Sequence, residues 1–324
     1  MKFRHLPLFI FFIVVSTNAI AQSQTDVPEQ GEGIFRLLSR NGIEPTKAVL
    51  AEFRELNADK LINGSGLRSG VAYSLPSTVV TKTYEIFGDD YKTITIQSNK
   101  LKGIVYYILG GHGGRDPGAI GKRNGKFLYE DEYAYDVALR LARRLIAESA
   151  TVYILNRDDE GIRDLEYFPA DHDEKHLGGK YIGDSQRDRL RQRVKDINRL
   201  AAKHSNARLQ RVVELHVDSY ERSKQVDVDF YYHSRQGLEL AKTLRETMGQ
   251  QYGMIRPDRG YRGRLKKGSH LYMLRNTEPV TALIELGNIN HRGDQLRIIQ
   301  WDNRQFLADW LTLGFIEDAK KSAK

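Results

Sequence analysis

Apolar and polar positions change period several times along the chain. From Leu101 onward, short apolar runs alternate with segments of helical spacing. The runs predict strands over 103–109, 151–155, 211–215, 226–232 and 280–284. The spacing predicts helices over 130–147, 186–203 and 238–248 and around 305–315. Apolar strands separated by amphipathic helices imply an α/β fold, a mostly parallel twisted sheet flanked by helices on both faces. Upstream, residues 79–97 alternate on both sides of Gly88-Asp89-Asp90, which is a β-hairpin signal. Before that, apolar residues at 34, 37 and 38 and again at 49, 50, 53 and 56 have helical spacing, and 67–76 alternates like a strand. A small α+β module over 31–76, built as strand, two short helices and strand, therefore precedes a linker with a hairpin over 77–102.

The first residues follow none of these patterns. Lys2, Arg4 and His5 precede an unbroken apolar run from Leu8 to Val15, then Ser16-Thr17-Asn18 and Ala19-Ile20-Ala21. That order is that of a cleaved secretory signal over 1–21, and the run is far shorter than the roughly 20 apolar residues that span a bilayer. The expectation is an exported protein, periplasmic or extracellular, with no stable membrane anchor. Across all 324 residues 40% are hydrophobic and 28% charged, as in a globular protein with a real core. Loss of Lys2 and Arg4 takes the net charge from +8 to +6, which suits an anionic surface or polymer. Nucleic acid is the rival partner, through Arg187, Arg189, Arg191, Arg193, Lys195 and Arg199. Steps of two point all around a helix, however, while Leu190, Val194, Ile197 and Ala201 form one stripe. The basic run thus reads as a solvated face over a core, and no nucleic-acid partner is expected.

The chain has no cysteine, so thiolate metal sites and cysteine nucleophiles are excluded and any metal must rest on His, Asp or Glu. His112 directly follows the first apolar strand inside Gly110-Gly111-His112-Gly113-Gly114-Arg115-Asp116-Pro117-Gly118. Glu130 opens the next helix and begins its stripe of Ala134, Val137, Leu141 and Leu145, so it should face the sheet. His216 and Glu285 each end an apolar strand. Ligands of open α/β sheets bind beyond the carboxyl ends of the strands, and these residues converge there. Two histidines and one carboxylate can hold zinc with a fourth position open, leaving one glutamate for acid/base work. His172 and His176 stand four apart, but Pro169 and Gly178-Gly179 argue against the helix that a shared metal would require. The connection from about 159 to 184 is long for this fold and could shape a groove, cover the metal or be a plain surface insertion.

Two resemblances follow from these residues. Gly31-Glu32-Gly33, Phe53-x-x-x-Asn57 and the closing segment 67–76 resemble a LysM module, a small glycan-binding domain. Gly111-His112-Gly113-Gly114-x-Asp116-Pro117-Gly118-Ala119, Glu130 leading into Asp136–Leu141, the His216 strand end and Leu283-Ile284-Glu285-Leu286-Gly287 resemble the zinc-dependent N-acetylmuramoyl-L-alanine amidases over roughly 103–317. The resemblance implies a Zn2+ ion held by His112, Glu130 and His216, Glu285 as catalytic acid/base, and peptidoglycan as substrate, cut between the muramyl lactyl group and L-Ala. A regulatory protein partner would be compatible with it. The chain departs from the family in Leu109-Gly110, where an Asp-Ala pair is frequent, and in His216-Val217-Asp218, where His-Ala-Asn is common. The competing readings are a catalytically silent wall-binding protein and a zinc peptidase acting on another wall amide. His270 and Arg275 are further candidates for contacting substrate.

Overall fold

The computed structural model describes residues 24–76 and 80–322, so the signal-like segment 1–21 lies outside the described residues. The chain divides into two compact units between Lys82 and Thr83.

The first unit has the order anticipated for the small module. A short strand, β1 (Thr25–Asp26), precedes helices α1 (Ile34–Arg40) and α2 (Lys47–Leu56), and strand β2 (Tyr73–Ser74) closes it. β1 pairs antiparallel with β2, so the first strand falls upstream of residue 31, where the sequence pattern opens the module. Ile34, Leu37, Leu38, Val49, Phe53, Tyr73 and Leu75 form its core. Asn57 is fully buried and ties α2 to β2: its Nδ2 donates to the Phe53 and Ser74 carbonyls, both at 2.8 Å, and its Oδ1 accepts the Ser74 N–H at 2.7 Å. An amide at this point satisfies strand groups that such a small sheet leaves unpaired.

In the second unit the central sheet has six strands: β3 (Ile104–Gly110), β4 (Thr151–Ile154), β5 (Leu209–Asp218), β6 (Asp229–Tyr232), β7 (Leu265–Lys267) and β8 (Val280–Asn288). Their spatial order is β7-β6-β8-β5-β3-β4, parallel throughout except where β6 runs antiparallel to β8. The helices are α3 (Glu130–Ala147), α4 (Gln186–Lys203), α5 (Arg235–Ile255), α6 (Tyr272–Asn276), α7 (Arg292–Ile299) and α8 (Trp301–Ser322). Alternate residues of β3 enter different cores. Tyr106 and Ile108 pack with α3, α5 and α8, whereas Val105, Tyr107 and Leu109 pack with Val194, Ile197 and Ala201 of α4 and Met273 of α6. The period of two thus divides one strand between two helical layers, and the protein is α/β with helices on both faces of the sheet.

Helices α3 and α4 have the boundaries expected from the sequence, while α5 and α8 run beyond theirs. Within the expected hairpin, the Tyr84 N–H bonds to the Lys92 carbonyl at 2.9 Å, but Glu85–Phe87 forms a 3-10 turn in place of a continuous strand. Phe87, Ile94 and Leu101 are buried in the main core, so this stretch packs as part of the second unit.

Candidate active site

His112 sits in the left-handed backbone region at φ +57°, unusual for a residue with a side chain. Arg193 of α4 holds its carbonyl. Two glycines make room around it. A Cβ on Gly118, itself at φ +67°, would stand 2.6 Å from Glu130 Oε2 and 2.7 Å from His112 Cδ2, and one on Gly111 would overlap the His216 ring. The glycine-rich loop therefore lets backbone close over the three polar side chains.

Glu130 is the first residue of α3 and is 5% exposed. Its Oε2 accepts the Ala119 N–H at 2.7 Å and its Oε1 the Val217 N–H at 3.0 Å. The same Oε1 lies 2.8 Å from His216 Nδ1 and 3.3 Å from His112 Nε2. One ligand atom from each of His112, Glu130 and His216 falls within 4.8 Å of the others. The outward nitrogens face carboxylates as well: His112 Nδ1 is 2.9 Å from Asp116 Oδ2, and His216 Nε2 is 3.5 Å from Glu214 Oε1. An imidazole whose far nitrogen meets a carboxylate is fixed in ring orientation and tautomer, as metal-ligating histidines usually are.

Charge follows this geometry. Burial disfavours the His112 imidazolium, but hydrogen bonds to Asp116 and Glu130 overcome it and push the ring up to about 9. Burial opposes ionisation of Glu130 too, and the two histidines outweigh it, holding the carboxylate well below its usual range. The Glu130 carboxylate and the imidazoles favour each other's charged forms while the two rings oppose one another, so a cation that displaces the ring protons would take their place beside the carboxylate.

Glu285 is placed by the sheet. It pairs in register with His216 across the parallel β5–β8 ladder, so both side chains leave the same face. Both line one cleft of about 230 Å3, together with His112, Asp116, Arg189, Arg193, Tyr231 and His270. Glu285 Oε2 is sealed from solvent without a hydrogen-bond partner. Burial pushes this carboxyl up to about 8, against the His216 charge, with Glu130 and Asp218 adding to the rise. A carboxyl poised between its two protonation states suits proton transfer.

His112, Glu130, His216 and Glu285 thus come together, and His270 joins them at the cleft wall. Arg275 does not: it is exposed on α6, outside the cleft lining. His172 and His176 take separate partners, the Gly114 carbonyl and Asp196, and no helix links them. None of residues 159–184 lines the cleft; Glu174 and His172 instead bind the Gly114 N–H and carbonyl beside His112.

The reading of the basic run as a solvated face needs correction at two positions. Arg187, Arg191, Lys195 and Arg199 are exposed, but Arg189 and Arg193 are buried and bind Asp116 and the His112 carbonyl. The sequence signal for Arg189 and Arg193 is their line of fours with Ile197 and Ala201, which puts them on the apolar side of the helix, whereas Arg187, Arg191, Lys195 and Arg199 share a line with no apolar residue. Glu214 is a further residue of the site that the apolar pattern hides, although its step of two from His216 puts both on one face of a strand.

The N-acetylmuramoyl-L-alanine amidase family model matches residues 107–316. Germination-specific N-acetylmuramoyl-L-alanine amidase of Bacillus subtilis strain 168 is 26% identical over 196 residues, 60% of this chain and 70% of its own length. Among solved structures, N-acetylmuramoyl-L-alanine amidase AmiC2 of Nostoc punctiforme is 22% identical with a TM-score of 0.47, covering 68% of this chain and 98% of that one. The CwlD amidase of Clostridioides difficile, solved in complex with the GerS lipoprotein, is 17% identical with a TM-score of 0.49, covering 67% and 98%. The family match takes in every strand end that delivers a side chain to the cleft, and the chain belongs to the N-acetylmuramoyl-L-alanine amidase family.

Proposed function

We propose that the protein hydrolyses the amide between the lactyl group of N-acetylmuramic acid and L-alanine in peptidoglycan, with His112, Glu130 and His216 holding a zinc ion and Glu285 moving the proton. The observation that carries this reading is the donor set itself. Two imidazoles and a carboxylate lie within 4.8 Å, each imidazole is backed by a second carboxylate, and glycine stands where a Cβ would fill the cradle. Nitrogen and oxygen donors of this kind fit zinc. When bound, the ion supplies Lewis acidity toward the amide carbonyl and acidifies water. Asp116 and Glu214 keep the histidine nitrogens directed at Glu130, and Arg193 holds the His112 carbonyl. Glu285 takes a proton from the attacking water at its carboxylate and returns it to the departing alanine nitrogen.

The small unit serves as a LysM-like glycan-binding module in this reading, and the segment 1–21 as a signal that exports the chain to the cell wall. Among the described residues no helix is long and apolar enough to cross a membrane. Digestion of purified peptidoglycan tests the assignment. The wild type releases stem peptides with a free L-Ala amino terminus and leaves lactyl-bearing glycan, and a chelator stops it while a reducing agent does not. Glu285→Ala loses nearly all release but retains zinc; His112→Ala loses both. Near-wild-type release by Glu285→Ala sinks the assignment, and release of a different amide product favours the peptidase reading.

A further inference from the structure

A second group of donors lies apart from the cleft lining. One carboxylate oxygen from each of Glu132 on α3, Asp158 just after the short strand Asn156–Arg157, and Asp171 in the connection to α4 lies within 4.8 Å of the others. Glu132 is 2% exposed; its Oε2 receives Arg163 at 2.6 Å, whereas its Oε1 is sealed from solvent and has no hydrogen-bond partner. Asp171 Oδ1 is likewise sealed and unpartnered, and Asp171 has no ion-pair partner among the described residues. Asp158, 5% exposed, has Arg163 at 3.6 Å. Arg163, the guanidinium that pairs with Glu132 and Asp158, is shared with Glu160 as well, so the cluster is short of positive charge.

Buried carboxylate oxygens without donors are rare in folded proteins, and like charges at this separation repel. We infer that Glu132, Asp158 and Asp171 bind a hard divalent cation, calcium or magnesium, at a site separate from His112, Glu130 and His216. A divalent ion would supply the missing positive charge, and an all-oxygen set favours these ions over zinc. The ion would join the first turn of α3 to the long connection, whose Glu174 accepts the Gly114 N–H at 2.8 Å and whose His172 contacts the Gly114 carbonyl at 3.0 Å. It therefore fastens the connection to the loop that carries His112, a bracing role that does not depend on the proposed hydrolysis.

Calorimetric titration of the purified protein with Ca2+ and separately with Mg2+, alongside thermal unfolding, tests the site. One equivalent of either ion should bind and raise Tm by about 5–10 °C at a hundredfold excess over Kd. Preference for Ca2+ indicates a flexible shell of six to eight oxygens and preference for Mg2+ a tight octahedral one. Asp171→Asn, in the loop, and Glu132→Gln should each weaken binding at least tenfold and abolish the Tm shift, with zinc content by elemental analysis unchanged. Absence of saturable binding of both ions overturns the inference. So does unchanged binding in Asp171→Asn, a variant in a loop position whose folding does not depend on the buried Glu132.

Discussion

Replacing Asp116 with alanine measures how far His112 depends on its neighbour. Asp116 Oδ2 is 2.9 Å from His112 Nδ1 and also pairs with the buried Arg189, while Oδ1 accepts the Gly118 N–H at 3.2 Å. His112 holds the carboxyl of Asp116 down to about 2, with burial opposing, so it is an anion at any working pH. Without it the imidazole can take either tautomer, and the ring loses the contact that keeps Nε2 facing Glu130. Outer partners of metal ligands typically contribute 10–100-fold in affinity, or about 1.4–2.8 kcal/mol. For the zinc site proposed above, the upper half of that range is expected, because the same substitution also strips Arg189 of its carboxylate. Asp116→Asn keeps an acceptor oxygen at the same reach but removes the charge, so its loss should fall nearer tenfold. Competition for zinc against a chromophoric chelator gives both constants, and circular dichroism checks that the loop change leaves the fold intact. A zinc Kd for Asp116→Ala within twofold of the wild type would refute the orienting role.

Asp136→Ala should lower Tm by roughly 10 °C, seen by calorimetry. Asp136 is 1% exposed and accepts from Arg140 at 2.7 Å and Arg304 at 2.6 Å, both fully buried, and uncovering a buried ion pair costs about 3–5 kcal/mol. A shift under 2 °C would mean that the Arg163 and Leu165 carbonyls, which also bind Arg304, suffice to hold it. Removal of residues 24–82 should leave hydrolysis of soluble muropeptides within about twofold while reducing co-sedimentation with intact peptidoglycan; equal sedimentation would remove the glycan-binding reading of the small unit.

The parts of the fold legible in the sequence were those whose period repeats. The stripe from Glu130 to Leu145 marked α3, and the apolar runs ending at His216 and Glu285 marked the strands that deliver them. Strand β7 is three residues long, Leu265–Lys267, and α6 is a helix of five, too short for either period to register. The antiparallel course of β6 was also hidden, because its Phe230 is buried as a parallel strand's residue would be. At the site, the types of the four central residues could be read from where they end strands or begin a helix. Arg189 and Arg193 were legible only in part, since their alignment with Ile197 marks the side of the helix, but a charged residue is normally assigned to solvent and only the location of Asp116 and the His112 carbonyl shows what they bind.

The pairing of His216 with Glu285 has a consequence for how the enzyme can change. Their separation is set by rungs of main-chain hydrogen bonds between two central strands, and it does not depend on any loop. Insertions and exchanges in the surrounding connections can remodel what reaches the cleft while this distance stays put. A slip of a single rung, by contrast, would turn one of the two side chains to the opposite side of the sheet. Diversification of such a catalyst is therefore free at its rim and forbidden along its central seam.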